Sequence, residues 1–295
     1  MAGPTGFEPA SENSQSPQVN SAIISNFKEF CEVDLQLAKR TVGGHICLIR
    51  NFLDTVCKDV NQIEADDIRE YLSDLKKRFE PKTYANNLCA LKRFFRDFLK
   101  RGDLVESFRF PTIPGGVIII PTKYELQRFF HSLPTNRDKA MFLFYATSGL
   151  RRKEILSLKR EDVDFKRRML MPSKTHETNT TKKSYISFYN KEAEQYLKTY
   201  LEERGSDDDP RIFKINEKNV RKAWRKAYLK SGIYITPQVL RDWFAEEMGN
   251  LGVADRYIDA FCGRTPKTVL ARHYSDYSPE KMRARYLKAN LKVLS

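Results

Sequence analysis

Between two helix-rich halves of the sequence lies the stretch "DLVESFRFPTIPGGVIIIPTKYE", residues 103–125, with prolines at 111, 114 and 121 and glycines at 115 and 116. Proline lacks an amide donor, fixes φ near −65°, and pushes the residue before it out of the helical region. Three of them between 111 and 121 forbid a continuous helix, so the chain is expected to fold as two bodies joined by an extended linker over 102–120. At 295 residues, each half is long enough to bury a core of its own.

Upstream of the linker the apolar spacing is helical. "SNFKEFCEVDLQLAKR" aligns Phe27, Phe30 and Leu35, and "GGHICLIRNFLDTV" continues the pattern. "EADDIREYLSDLKKR" begins acidic and ends basic, as the helix dipole favours, and "PKTYANNLCALKRFFRDFLKRG" opens on Pro81 and stops at Gly102. Residues 1–20 are polar and read as a disordered leader, and 21–101 as a four-helix bundle. Downstream, "TKYE" at 122–125 spells a capping box that opens a second domain, 121–295. There "DKAMFLFYATSG" is an apolar helix ending at Gly149, "RRKEILSLK" starts another, and "DFKRRMLMPSKTHETNTTKKSYISF" alternates around a polar turn as a hairpin. Thr236-Pro237 and Thr265-Pro266 each place a threonine cap before a first-turn proline, and a last amphipathic helix is expected over 279–294. The expected fold class is mainly α with a small antiparallel β-sheet in the second domain.

Composition narrows the partner. Lys and Arg number 52 against 38 Asp and Glu, a formal net charge of +14, so a polyanion is the natural ligand. No apolar run approaches the roughly 18 residues of a spanning helix, and the first residues lack the order of a signal peptide, so the expected partner is nucleic acid rather than a membrane and the expected location the cytoplasm. The five cysteines stand singly, the four histidines do not cluster, and neither a G-x-x-x-x-G-K-[ST] nor a G-x-G-x-x-G loop occurs. No metal, nucleotide or other cofactor is expected.

Chemistry is expected where cationic side chains emerge at helix breaks. Arg151 follows Gly149 at such a break, and in "TPQVLRDWFAEEM" Gln238 and Arg241 are three apart, behind a buried face of Val239, Leu240, Trp243 and Phe244. Two arginines on separate elements can fork onto the non-bridging oxygens of one phosphate, which gains charge in its transition state. "GRTPKTVLARHYSDYS" sets Arg264 ahead of a short helix and Tyr274 at its far end, beside His273. A tyrosyl hydroxyl can attack phosphorus and hold it as an ester, conserving the bond energy without a nucleotide. Tyr277, three residues on, is the alternative nucleophile.

The order "TSGLRRKEILSLKREDVDF", a hairpin lysine, "QVLR", "CGR" and "RHY" resembles the catalytic half of the tyrosine recombinases, the phage-type integrases, over about 120–290. It is similar in particular to integrases of archaeal viruses and plasmids, and 21–101 resembles the family's helical, SAM-like core-binding domain. The resemblance implies that Arg151 and Arg241 clamp the phosphate, that Lys174 protonates the departing 5′-oxygen, and that Tyr274 is the nucleophile; Lys182 and Lys183 compete with Lys174 across the same hairpin. Glu154 stands where the family carries an acidic residue and is read as a structural partner of an arginine. Gln238 replaces the usual histidine and can donate a hydrogen bond but not shuttle a proton; Arg264 replaces a histidine or tryptophan and adds a fixed charge favouring an anionic oxygen. The resemblance further implies double-stranded DNA as the partner, a Holliday-junction pathway, a homo-tetramer on two duplexes, a host DNA-bending factor as a candidate accessory, and a last helix that docks on a neighbouring protomer. A type IB topoisomerase and a non-catalytic DNA-binding regulator are the rival readings.

Near the start, "GPTGFEPA" contains Gly6-Phe7-Glu8-Pro9, which GG-N-TTC-GAA-CC-N can encode. That string resembles the T-arm of a tRNA gene, and TTCGAA is its own reverse complement. The expectation is that codons 2–10 overlap an attachment site derived from a tRNA gene.

Overall fold

The computed structural model describes residues 16–116, 119–172, 186–264, 268–269 and 274–295, and the chain divides near residue 117 into two compact units. Four helices build the first: α1 (Ser16–Val33), α2 (Lys39–Val56), α3 (Ala65–Arg78) and α4 (Pro81–Leu91). Their apolar faces meet around Phe27, Phe52, Phe94 and Phe95, all fully buried, with Phe27 edge-on to Phe94 and Phe52 edge-on to Phe95. Each such ring removes apolar surface worth about 2 kcal/mol.

The structure corrects three expectations here. Helix α1 begins at Ser16 rather than Ser21 and ends at Val33, leaving Leu35 beyond it. Helix α2 runs from Lys39, with Gly43 and Gly44 inside it. The helix expected from Pro81 to Gly102 changes pitch: after Leu91 comes a π-helical segment, Lys92–Phe98, with Leu99 N–H bonded to Phe94 O at 2.9 Å. The wider turn buries Phe94 and Phe95 side by side. The bundle also continues past 101: Leu104 and Val105 are buried in its core, and Arg101 donates to the carbonyls of Val60 (2.9 Å) and Ile63 (2.8 Å). The extended linker therefore starts later than residue 102.

The second unit opens with α5 (Lys123–Ser132), where Thr122 Oγ accepts from Glu125 N–H and the Glu125 carboxylate accepts from Thr122 N–H at 2.8 Å. Next comes α6 (Asn136–Ser148), buried on all sides from Ala140 to Ser148, the pattern of a central core helix. It stops at Gly149, whose φ of +64° and contact with Phe244 leave no room for a side chain. After the short α7 (Arg152–Ser157), β1 (Val163–Asp164), β2 (Met169–Leu170) and β3 (Ser187–Phe188) form an antiparallel sheet in that order, Met169 facing Phe188. Residues 173–185, which connect β2 to β3, lie outside the described residues. Helices α8 (Lys191–Arg204), α9 (Glu217–Ser231), α10 (Pro237–Asn250) and α11 (Asp255–Phe261) follow, α10 capped by Thr236 as its sequence requires. The helix expected after Thr265-Pro266 lies outside the described residues except at 268 and 269.

The last helix, α12 (Pro279–Ala289), ends five residues earlier than the expected 294, because Asn290 turns left-handed at φ +49°. The tail then runs back into its own domain. Met282, Tyr286, Leu291 and Val293 are buried in the chain's own core, and the Glu192 carboxylate at the start of α8 accepts the N–H groups of Val293 (2.8 Å) and Leu294 (3.0 Å). Among the described residues, no helix is long and apolar enough to cross a membrane.

Two predictions follow from these packing details. Gly149→Ala must place Cβ well inside contact distance of the Phe244 ring at a left-handed φ, whereas Gly252, at φ +78°, has open space around it. Denaturant unfolding should show Gly149→Ala losing roughly 3 kcal/mol from strain plus overpacking, and Gly252→Ala only about 1 kcal/mol; equal losses would contradict the tight turn. In the bundle, His45 is buried against the Arg93 guanidinium, and burial first, then that charge, lowers its pKa below the usual histidine value. Its contribution is complete above the unfolded histidine pKa, about 6.5, and is lost as pH falls through the lower folded value. Both tryptophans, Trp224 and Trp243, lie in the second unit. Acidification from about pH 7.5 to 5.5 should therefore lower the melting transition seen by far-UV circular dichroism, and His45→Gln should remove that part of the shift; an unchanged shift would refute the assignment.

Candidate active site

Two arginines from different elements meet one pair of turns. Arg151 is the N-cap of α7: its N–H is held by the Glu154 carboxylate at 2.7 Å, and its guanidinium bonds the same carboxylate at 3.0 Å. This is the structural partnership expected of Glu154. The other arm of Arg151 donates to Gly263 O at 2.8 Å. Arg241, on α10, donates to Cys262 O at 2.6 Å and to Gly149 O. The carbonyls of Cys262 and Gly263, at the C-terminal end of α11, are thus each taken by a different guanidinium, where a helix end concentrates negative partial charge.

Arg241 is almost entirely buried, 4% exposed, although the sequence put it beside the exposed Gln238 on one face. Burial is the main influence drawing its pKa below the ordinary arginine value, and the like charges of Arg151 and Arg264 act in the same direction. Arginine nevertheless stays charged in proteins, so the strain is electrostatic rather than a lost proton. Arg264 is exposed and reaches Asp259 at 3.4 Å. Among the described residues, three guanidinium charges face two carboxylates, Glu154 and Asp259, and the cluster favours an added anion.

The other expected residues stand as follows. Gln238 occupies the first turn of α10 and gives its side-chain amide to Asp242 at 2.9 Å. Tyr274 is 77% exposed, whereas Tyr277 is half-buried and packs edge-on against Tyr257 at 6.0 Å between ring centres. Lys174, with its rivals Lys182 and Lys183, and His273 lie outside the described residues. Among the described residues, no group of three or more His, Cys, Asp or Glu side chains could hold a metal ion.

Sequence reasoning missed the residues that fasten this turn from behind. Tyr286 donates to Thr147 O at 2.8 Å and Ser187 donates to Ser148 O, both fully inside the core. The only signal for Tyr286 was its spacing of four from Met282 on an apolar helix face. Ser187 carried none, since a serine in an alternating segment reads as solvent-facing.

Comparison with known proteins gives the family of the chain. Residues 122–281 match the Phage integrase family and residues 23–102 match the phage integrase N-terminal SAM-like domain. The chain is 26% identical over 282 residues to Tyrosine recombinase XerA of Thermococcus onnurineus, covering 91% of this chain and 95% of that relative. It is 25% identical over 260 residues to a tyrosine recombinase of Pseudothermotoga lettingae, covering 82% and 90%. In fold it is similar to a lambda integrase dimer bound to a COC′ core site, with a TM-score of 0.66 and 14% identity over 88% of this chain and 96% of that one. It is likewise similar to the Tn1549 transposon integrase in complex with circular intermediate DNA, with a TM-score of 0.62 and 14% identity over 89% and 98%. With more than half its length matched, the chain belongs to the phage integrase family, the tyrosine recombinases, and is an enzyme that cleaves and rejoins DNA.

Proposed function

We propose that this recombinase uses Arg151 and Arg241 as its phosphate clamp and Tyr274 as its nucleophile, and that it integrates or excises a mobile element. The observation that carries the clamp is the electropositive pair of turns in which both guanidiniums are held by the carbonyls of Cys262 and Gly263. A scissile phosphate there would receive forked, charge-assisted hydrogen bonds, strengthened as charge builds on its oxygens in the pentacoordinate transition state.

The Tyr274 oxygen attacks phosphorus, the bond to the 5′-oxygen breaks, and a 3′-phosphotyrosyl ester forms. Lys174 supplies the proton to the departing 5′-oxygen. The tyrosine proton passes to water or a substrate oxygen, since Gln238 has no basic nitrogen near neutral pH. Arg264 contributes positive charge beside the reacting group, moderated by Asp259. The freed 5′-hydroxyl then attacks the phosphotyrosyl ester of a partner duplex, and two such exchanges pass through a Holliday junction on a tetramer. A solved lambda integrase tetramer bound to a Holliday junction, 13% identical to this chain with a TM-score of 0.65, has the same fold. Duplex binding rests on phosphate neutralisation by the net charge of +14, with the helical bundle and the catalytic domain both contributing.

The nucleophile is tested by covalent trapping. A duplex is selected from a random-sequence library on the full-length chain, nicked within its footprint, labelled on one strand, incubated with protein and denatured. Wild type should give a protein–DNA band, which Tyr274→Phe abolishes and Tyr277→Phe retains; Arg241→Ala should reduce it by at least about a hundredfold. A band that survives Tyr274→Phe and vanishes with Tyr277→Phe overturns the assignment, and no band from wild type favours a binding-only protein.

We also propose a tRNA gene as the target, on the strength of Gly6-Phe7-Glu8-Pro9. The gene should spell TTCGAA across Phe7-Glu8, flanked by complementary stem bases. Other codons there would sink the idea.

A further inference from the structure

The C-terminal end of α6 is held by three elements at once. The last carbonyls of a helix have no partner within it and must find one elsewhere when buried. Here Thr147 O accepts the Tyr286 hydroxyl from α12 at 2.8 Å, Ser148 O accepts the Ser187 hydroxyl from β3, and Gly149 O accepts the Arg241 guanidinium from α10. Thr147, Ser148 and Ser187 are fully buried and Tyr286 nearly so. Two residues after Gly149 comes Arg151.

Tyr286 follows Tyr274 by twelve residues and belongs to the segment that leads on from it. Its ring is wedged between Phe188 on β3, 5.5 Å away, and Phe261 on α11, 5.8 Å away. It therefore touches the hairpin strand, the helix that ends at Cys262, and the turn before Arg151. Burial raises its hydroxyl well above the usual tyrosine pKa, so it is a donor throughout the working range.

Building on the assignment of Arg151, Arg241 and Tyr274 above, we infer that Tyr286 is a positioning residue: its hydroxyl makes the seating of the C-terminal segment a condition for the geometry of the phosphate clamp. With α12 seated, the donor on Thr147 O fixes the α6 terminus, and Gly149 O is presented to Arg241 in register. With α12 unseated, a buried carbonyl loses its partner and the turn that sets both arginines is free to shift. The clamp is then formed only when the polypeptide carrying the nucleophile is also in place, which couples DNA cleavage to correct docking of the tail. Small displacements of groups that orient a reacting phosphate are expressed in rate rather than in affinity.

The test uses the full-length chain and the nicked, selected duplex. Tyr286→Phe removes one oxygen and keeps the ring packing. Tyr200→Phe is the control: its hydroxyl accepts from Lys214 N–H at 3.2 Å, at a site with no bond to the 147–151 turn. The dissociation constant is read by gel shift, and the single-turnover rate of adduct formation at saturating DNA. Tyr286→Phe is expected to slow adduct formation about tenfold with the dissociation constant unchanged within about twofold, while Tyr200→Phe leaves both as in wild type. Ser187→Ala, which strips the neighbouring carbonyl, should slow the same step and serves as the second variant if the first fails to fold. A wild-type rate for Tyr286→Phe, alongside an inactive Arg241→Ala, overturns this inference and leaves the clamp standing. Equal slowing by Tyr200→Phe overturns it as a general loss of stability. Full activity of Arg241→Ala removes the clamp and this inference together.

Discussion

A buried guanidinium is the constraint around which the catalytic unit is organised. Arg241 sits at 4% exposure, bonded among the described residues to no carboxylate and held by the carbonyls of Gly149 and Cys262. Taking a charge out of water costs several kcal/mol unless hydrogen bonds replace the lost hydration, and those carbonyls exist as acceptors only because two helices, α6 and α11, end there. The stop at Gly149 is in turn fixed by Phe244 from the same helix as Arg241. One helix thus delivers both the charge and the ring that shapes its receptor.

From that constraint the chemistry of the neighbourhood follows. Arg151 is drawn to Gly263 O by the same helix end, and Glu154 balances it without neutralising the pair. Among the described residues the positive charges of this cluster outnumber the carboxylates that reach them, an arrangement that favours binding of an anion. The C-terminal segment belongs to this assembly rather than to its periphery. Its tail is clamped by Glu192, its Tyr286 holds the α6 terminus, and deleting 280–295 would strip the domain's own core as well as any assembly surface.

Much of this was legible where local chemistry decides structure. Thr122 with Glu125, Thr236 with Pro237, and Gly149 after an apolar run each announce a boundary because the cap or the left-handed residue is a local requirement. What failed to show was tertiary. The π-helical segment at Lys92–Phe98 answers the need to bury adjacent phenylalanines, which no periodicity encodes. The start of α2 at Lys39 overrides two glycines, and Leu104 and Val105 join the bundle through contacts with distant residues. In the site, spacing named the arginines but gave Arg241 an exposed neighbour's environment; its burial depends on helices that end elsewhere in the chain. The roles of Tyr286 and Ser187 were not legible because each acts on a carbonyl, and carbonyls carry no sequence signal.

The contrast between Arg241 and Tyr274, 4% against 77% exposed, fits the clamp and nucleophile roles proposed for them and the size of the substrate. A duplex cannot enter a cavity, so the scissile phosphate has to be met at the surface, and the nucleophile must project to reach it. Orientation cannot come from enclosure, as it does for a small molecule in a pocket. It has to come from rigid support behind the surface, and that is what the core supplies: guanidiniums braced by carbonyls, those carbonyls set by helix ends, and the helix ends pinned by Tyr286, Ser187 and Phe244. Bracing of this kind, built from the core outward, is how a protein surface can orient one phosphate of a long polymer.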